Sequence, residues 1–528
     1  MSWTSNNGIV LRDLVPQALR RQWVREGWCP DQDIHTAFTH QVQAHPDRPA
    51  VVDEQGCLDY RSLDREVRRI ATALRAAGLG PRDIIGIHLP NGRSAVAAEL
   101  AVAALGAVSL PYPYGRGRRD SLSLLGRARA AALITLARAD LPTPCPVFTF
   151  GPAAGDAVSL DRAPVPAEPW SPPPVDPDGP ARILVTSGTE AEPKMIAYSH
   201  NAFLGGRASY LRALHDGDAP MRNLLLAPLA SAYGSLGVPV TLAALGGTLQ
   251  LRRGFDPAEV LRAITEHRPT HLFAVPVMLR RLLDHPRSAT EDTSSLRAVV
   301  SSSAAFPLTL LDGCRDRLCA NVITVYGSAD GVNCHTARTG ATPATGTGLP
   351  DPAVAQIQIR TPAGRVLPRG EDGEICALGP MTPLCYVAAP ELDAAYRPGG
   401  WVRTGDLGHL DHHGRLHVSG RTKQVVNRGG FNISPAEVEH HLDTHPDVAE
   451  VACVPVPDPE LGERLAACLA QRPGSAPLTL PVLTRYLEEE RGLERRKLPE
   501  LLVVLPELPL GPTGKVCRHT LTALAADR

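Results

Sequence analysis

Short apolar runs alternate with helical patterns along most of this chain, and that alternation restricts the fold more than any other feature of the sequence. "RPAVVD", "DIIGIHLP", "ARILVTS", "HLFAVP", "LRAVVSSS" and "NVITVYGS" read as buried strands. Between them "SLDREVRRIATALRAAG", "RSAVAAELAVAALGA", "DPAEVLRAITEH" and "PVMLRRLLDH" carry apolar residues at helical spacing. A crossover helix is what lets neighbouring strands run parallel, so the pattern predicts an α/β chain. Its sheets should be parallel-rich and flanked by helices, with sites at the strand ends. A chain of 528 residues exceeds what one core usually supports, so a second unit is expected. After "GRTKQVV" the character changes to short strands ("EVACVPV", "ELLVVLP") and helices ("SPAEVEHHLDTH", "PVLTRYLEEERG"), a smaller α+β unit. The boundary falls near Arg421 to Gln424 and divides residues 1–421 from 422–528.

Charge and composition exclude several classes. The 54 basic and 55 acidic residues leave no net field to draw the chain to nucleic acid or to a membrane surface. No stretch approaches the roughly 18 apolar residues of a membrane span, and the N-terminus lacks a secretory pattern, so a soluble, cytoplasmic protein is expected. Eleven scattered cysteines without a C-x-x-C pair point to reduced thiols rather than to a disulfide frame or a zinc site. Only four of the 54 basic residues are lysines: Lys194, Lys423, Lys497 and Lys515. Where arginine serves almost everywhere else, a lysine marks a place for a compact ammonium.

Lys194 closes "TSGTEAEPK", which follows a predicted strand. Thr186, Ser187, Gly188 and Thr189 offer backbone N–H and hydroxyl groups that can wrap an anion, with Lys194 as counter-charge. The segment is not a G-x-x-x-x-G-K-[ST] loop, because Met195 follows the lysine and no glycine precedes it. Further segments follow in order: "YGSAD" at Tyr326 to Asp330, "WVRTGDLG" with Asp406, "GRTK", "RGGFNISPAEVEHHL" and the terminal "GPTGKVCR". From about residue 35 onward this series resembles the adenylate-forming superfamily of acyl- and aryl-CoA synthetases, aryl-acid–AMP ligases and stand-alone adenylation enzymes. All four lysines fall on motif positions of that superfamily.

The resemblance implies ATP-dependent activation of a carboxylic acid as a mixed anhydride with AMP, with magnesium assisting. It implies that residues 186–194 hold the β- and γ-phosphates and that Asp406 accepts the ribose hydroxyls with Arg421 nearby. Tyr326 is expected to stack on adenine, with Ser302, Gly327 and Ser328 completing the nucleotide pocket. Lys515 is expected to reach in from a mobile small domain and to bridge carboxylate and α-phosphate, and Lys423 to act as the hinge. Relatives carry a threonine where this chain has Ala329 and a glutamate where it has Asp330, the expected magnesium ligand. One lost hydrogen bond to a charged oxygen costs roughly 1.5–3 kcal/mol, which slows a reaction without abolishing it. Glu190 and Glu192 are read as outward-facing loop residues, with Glu190 as an alternative metal contact.

In "APLASAYGSLG", Ser231, Ala232 and Tyr233 fall where relatives receive the acid. Ala232 offers neither the aspartate that binds an α-amine nor the asparagine that binds an ortho-hydroxyl, and Tyr233 aligns with an aromatic that stacks on aryl substrates. An aryl, cinnamyl-like or alicyclic acid is therefore expected. Coenzyme A, or the phosphopantetheine of a separate acyl carrier protein, is the implied acceptor. The resemblance leaves open an amine acceptor, a diazotase that activates nitrite for an aryl amine, and a non-catalytic adenylate-binding protein. "RRDSLSLLG" contains the D-S-L of carrier proteins but reads as an ordinary helix start.

Overall fold

The computed structural model describes residues 2–136, 143–151, 157–161, 163–164, 170–186, 193–215, 217–302, 306, 308–422, 425–428, 431–511 and 515–527. Two eight-stranded sheets make up most of it. The first places Pro180–Val185, Val108–Pro111, Ile84–His88 and Ala132–Leu136 side by side; the second places Val322–Ser328, Ala298–Ser302, His271–Ala274 and Arg222–Leu225 together. These neighbours pair in parallel, as the alternation predicts. Antiparallel pairs occur only toward the edges, Pro180–Val185 with Met195–Ser199 and Val322–Ser328 with Val332–His335 among them.

Helices Tyr60–Ala76 and Arg93–Ala104 share one apolar core with both sheets: Val67, Ile70, Leu100 and Val102 join Ile85 and Ile87 on one side and Leu249 and Leu251 on the other. This explains the alanine-rich composition of the second helix. Every residue from Ala95 to Ala104 is buried, and a helix enclosed on all sides needs apolar residues all round, small enough for close approach. Glu99 is the exception. Its carboxylate meets Arg182 at 2.5 Å, and both side chains are buried. Burial pushes the Glu99 pKa up, with Arg182 opposing.

A four-stranded sheet of Gln356–Arg360, Gly373–Leu378, Val402–Leu410 and Leu416–Arg421 is antiparallel throughout, which the strand–helix alternation does not predict. Three of its strands are half-buried and mix polar with apolar residues, so no apolar run marks them, and the turn from Asp411 to Arg415 closes on itself through the Asp411 side chain. From Val426 onward the chain builds a separate five-stranded sheet. There Val448–Asp458 and Gly462–Gln471 form a long antiparallel pair, and Leu501–Leu505 adds in parallel. Helices Pro435–Leu442 and Arg518–Ala526 cover it, and two apolar clusters fill its faces. The expected hinge Lys423 lies outside the described residues.

All eleven cysteines are free thiols, and most are buried. Ser121 of "DSLSL" is buried within helix Arg118–Arg127, so it is a packing residue and not an accessible attachment point. Among the described residues no helix is long and apolar enough to cross a membrane.

Candidate active site

The strand before the expected phosphate loop does not lead into a helix. Pro180–Val185 and Met195–Ser199 form an antiparallel hairpin with Val185 opposite Met195, so residues 186–194 form the hairpin's connection. Lying between two strands, the loop can bind an anion through its own N–H groups and hydroxyls and the cations at its base. The base of the loop is closed by the Thr186 N–H, which donates to the Lys194 carbonyl at 2.9 Å, and by the Lys194 N–H, which donates to Thr186 Oγ1 at 3.1 Å. Arg116 and Arg127 donate to the carbonyls of Thr186 and Pro193, bringing two further cations to the loop's base. Ser187, Gly188, Thr189, Glu190 and Glu192 lie outside the described residues. The Lys194 ammonium stands 4.4 Å from the ring centroid of Tyr396 and 5.4 Å from that of Tyr386, a cation held over two aromatic faces.

Tyr386 also meets the next motif. Its hydroxyl donates to Asp330 Oδ1 at 2.5 Å, so one tyrosine touches both the loop lysine and the acidic end of "YGSAD". Burial, then the Asp330 charge, raises the Tyr386 pKa, which keeps the phenol protonated as a donor. Asp330 sits in the turn between Val322–Ser328 and Val332–His335, its N–H held by Ser328 Oγ at 3.1 Å. Gly331 follows with φ of 100°, and a Cβ there would lie 2.4 Å from Pro383 Cδ. Only glycine lets this turn close onto the segment that carries Tyr386. The Ala329 carbonyl accepts from the Tyr198 hydroxyl at 2.6 Å.

Asp406 is buried in strand Val402–Leu410, directly opposite Arg421 of Leu416–Arg421. Arg421 Nε donates to Asp406 Oδ1 at 2.5 Å and the Tyr326 hydroxyl donates to Oδ2 at 2.7 Å. Tyr326 thus reaches the aspartate through its edge. Burial and the Asp406 charge hold the Tyr326 pKa well above the usual phenol range. Burial opposes the Arg421 charge, but Asp406 outweighs it, and the Arg421 pKa rises. Lys515 comes to this pair from the smaller unit. It keeps solvent contact, yet the surrounding protein and then Arg421 lower its pKa, with Asp406 opposing. The structure therefore joins Tyr326, Asp406 and Arg421 by hydrogen bonds, with Lys515 near enough to feel the charges of the last two, and Gly327, Ser328, Ala329 and Asp330 continue from Tyr326 along the strand end. Ser302 lies on the neighbouring strand and donates its hydroxyl to the Val325 carbonyl at 3.1 Å.

The third group is a tight loop. Asn91 brackets it by donating to the Ala227 carbonyl and accepting the Leu229 N–H, while Arg182 donates to the Leu229 carbonyl at 2.6 Å. Ser231 Oγ donates to the Pro228 carbonyl and accepts the Gly234 N–H, so its hydroxyl serves the turn. A Cβ on Gly234 would stand 1.8 Å from the Pro228 oxygen, which makes glycine obligatory. Tyr233 donates its hydroxyl to the Val300 carbonyl at 2.9 Å and packs 6.0 Å from Phe273; burial, then Tyr210, keeps its pKa well above the usual range. Ala232 presents its carbonyl to Arg207. Sequence reasoning missed Arg207, Tyr198, Tyr386 and Tyr396. The available signal was a lone arginine in the apolar stretch "NAFLGGRASY" and tyrosines with no motif partner nearby.

Two family patterns cover this architecture. The chain belongs to the adenylate-forming superfamily: residues 38–387 match the AMP-binding enzymes, and residues 437–515 match the AMP-binding enzyme C-terminal domain. It is an adenylate-forming ligase. It is 31% identical to triostin synthetase I of Streptomyces triostinicus, over 97% of this chain and 98% of that protein. It is 32% identical to feruloyl-CoA synthase of an Amycolatopsis species, over 92% and 98%. Its fold superposes on the amide bond synthetase McbA of Marinactinospora thermotolerans with a TM-score of 0.83 at 30% identity, covering 93% of this chain and 99% of that one.

Proposed function

We propose that this ligase activates an aryl, cinnamyl-like or alicyclic carboxylic acid with ATP and passes the acyl group to a pantetheine thiol, of coenzyme A or of a separate carrier protein. The observation that carries the proposal is the hydrogen-bonded Asp406–Arg421–Tyr326 cluster, whose charges are felt at Lys515 of the smaller unit. In the first step an acid oxygen bonds to the α-phosphorus of ATP, the bond to the β-phosphate oxygen breaks, and pyrophosphate leaves. Negative charge gathers on phosphoryl oxygens, so positioned cations supply most of the catalysis. Lys515 supplies one at the junction of the two units, and Asp406, which Arg421 holds, takes the ribose hydroxyls. Tyr326 borders the adenine, beside Gly327 and Ser328. Thr186, the adjoining loop and Lys194 receive the β- and γ-phosphates.

Asp330 fits a magnesium ion. Tyr386 occupies Oδ1, while among the described residues Oδ2 has only the Ser328 hydroxyl at 3.4 Å. Among the described residues no group of three metal-ligating side chains exists, which suits an ion held mostly by phosphates and water. Bound there, magnesium would neutralise phosphate charge, and Asp330 would hold it in place. Residues 422–528 form the lid, and rotation about Lys423 exchanges Lys515 for the "RGGFN" segment as the thiol arrives. Ala232 and Tyr233 border the acid with no group for an α-ammonium.

The test is acid-dependent exchange of pyrophosphate into ATP across a panel of acids, followed by mass analysis of products with coenzyme A. Exchange that is fastest with an α-amino acid or salicylate would overturn the acid class. Adenylate formation with product only in the presence of an amine would replace the thiol step.

A further inference from the structure

Arg207 ends a π-helical segment, Ala202–Arg207, and is only 4% exposed. Its guanidinium carbon lies 4.8 Å from the Tyr198 ring centroid and 5.3 Å from that of Phe203. Nη1 donates to the Ala232 carbonyl at 3.2 Å and to Ser235 Oγ at 3.1 Å. Nε and Nη2 are buried, and neither has a partner at hydrogen-bonding distance and angle among the described residues; the Tyr198 hydroxyl interacts with the guanidinium only loosely. The neighbouring Arg182 brings no relief, since its charge is matched by Glu99 and it repels a second guanidinium. Aromatic faces offset part of the cost of burying a charge, but donors left unpaired are costly unless something else accepts from them.

The location says what that would be. Arg207 touches Ala232 directly, and through Tyr198, whose hydroxyl holds the Ala329 carbonyl at 2.6 Å, it is tied to the other loop flanking the acid. Arg207 thus holds unused donors beside the loops that carry Ala232 and Ala329. We infer that the acid carries a second oxygen acceptor, a carbonyl or carboxylate, which Arg207 receives through Nε and Nη2. The inference rests on the adenylating function proposed above and narrows its substrate: an aryl, cinnamyl-like or alicyclic acid, but one bearing an additional acceptor. Arg207 is in this reading a specificity-determining residue.

The experiment measures kcat/KM for pyrophosphate exchange with benzoate, cinnamate and cyclohexanecarboxylate, each against acetyl- and carboxy-substituted counterparts. Wild type should favour at least one substituted acid over its parent by about 100-fold, because a site built around buried donors rejects a ligand that leaves them unpaired. In Arg207→Met that ratio should fall to near one, and Arg207→Lys, which keeps the charge with a different donor geometry, should lie between. Preference for the parent acid in all three series would overturn the inference. So would an Arg207→Met variant that lowers parent and substituted acids equally, since that marks a brace for the Ala232 loop. If Arg207→Met does not fold, the wild-type series decides alone. Absence of exchange with every acid would remove the adenylating function and this inference with it.

Discussion

Replacing Lys515 with alanine removes the cation that the smaller unit contributes to the cluster. Arg421 cannot take its place, because its Nε is engaged with Asp406 at 2.5 Å. A unit charge about 4 Å from a phosphoryl oxygen, at an effective dielectric constant near 20, is worth about 4 kcal/mol. At about 1.4 kcal/mol per decade the exchange rate should fall about 10³-fold. A stable acyl-adenylate analogue should still bind, since Asp406, Arg421 and Tyr326 remain, and thermal stabilisation by the analogue reads that directly. The pH profile adds an independent check. Crowding by the surrounding protein, then Arg421, pulls the Lys515 pKa below its usual 10.5, so the ammonium is lost as pH rises through that lowered value. Exchange should therefore decline on an alkaline limb below the ordinary lysine range, and Lys515→Arg should lack that limb. Exchange within threefold of wild type in Lys515→Ala would refute the reasoning.

Tyr386→Phe removes the donor to Asp330 while keeping the ring beneath Lys194. A lost hydrogen bond to a charged oxygen, roughly 1.5–3 kcal/mol, should slow exchange about 10- to 100-fold and raise the magnesium concentration needed for half-maximal rate. An unchanged magnesium dependence would count against a positioning role for the tyrosine. Lys423→Pro fixes φ and removes an N–H at the hinge, so thioester formation should slow selectively while pyrophosphate exchange persists; equal loss of both would rule out the hinge assignment. Glu99→Gln leaves Arg182 buried without its counter-charge and should cost about 3–5 kcal/mol, read as a lower midpoint in urea denaturation, with an unmoved midpoint contradicting it.

Much of the site is readable in the chain because its parts are local. The segments with Lys194 and Lys515, "YGSAD" and "TGDLG" are short, and what they offer chemically depends on residue type and order, whereas Lys497 is drawn into an ion pair with Glu437. The parallel-rich sheets are equally local in origin, since each buried strand is an apolar run and each crossover helix has its own period. The hairpin at residues 186–194 was not readable, because strand direction depends on which neighbours pair and not on the loop's residues. The four-stranded antiparallel sheet was hidden for a related reason: half-buried strands carry mixed side chains. Tyr386 reaches Asp330 across 56 residues, and Tyr326 reaches Asp406 across 80. Arg207, in a helical segment, meets Ala232, in a loop, across 25. Residue types along the chain can announce which groups are available for chemistry. Only packing decides which buried donors find partners, since hydrogen bonds act over about 3 Å while the residues that make them are brought together by the whole core.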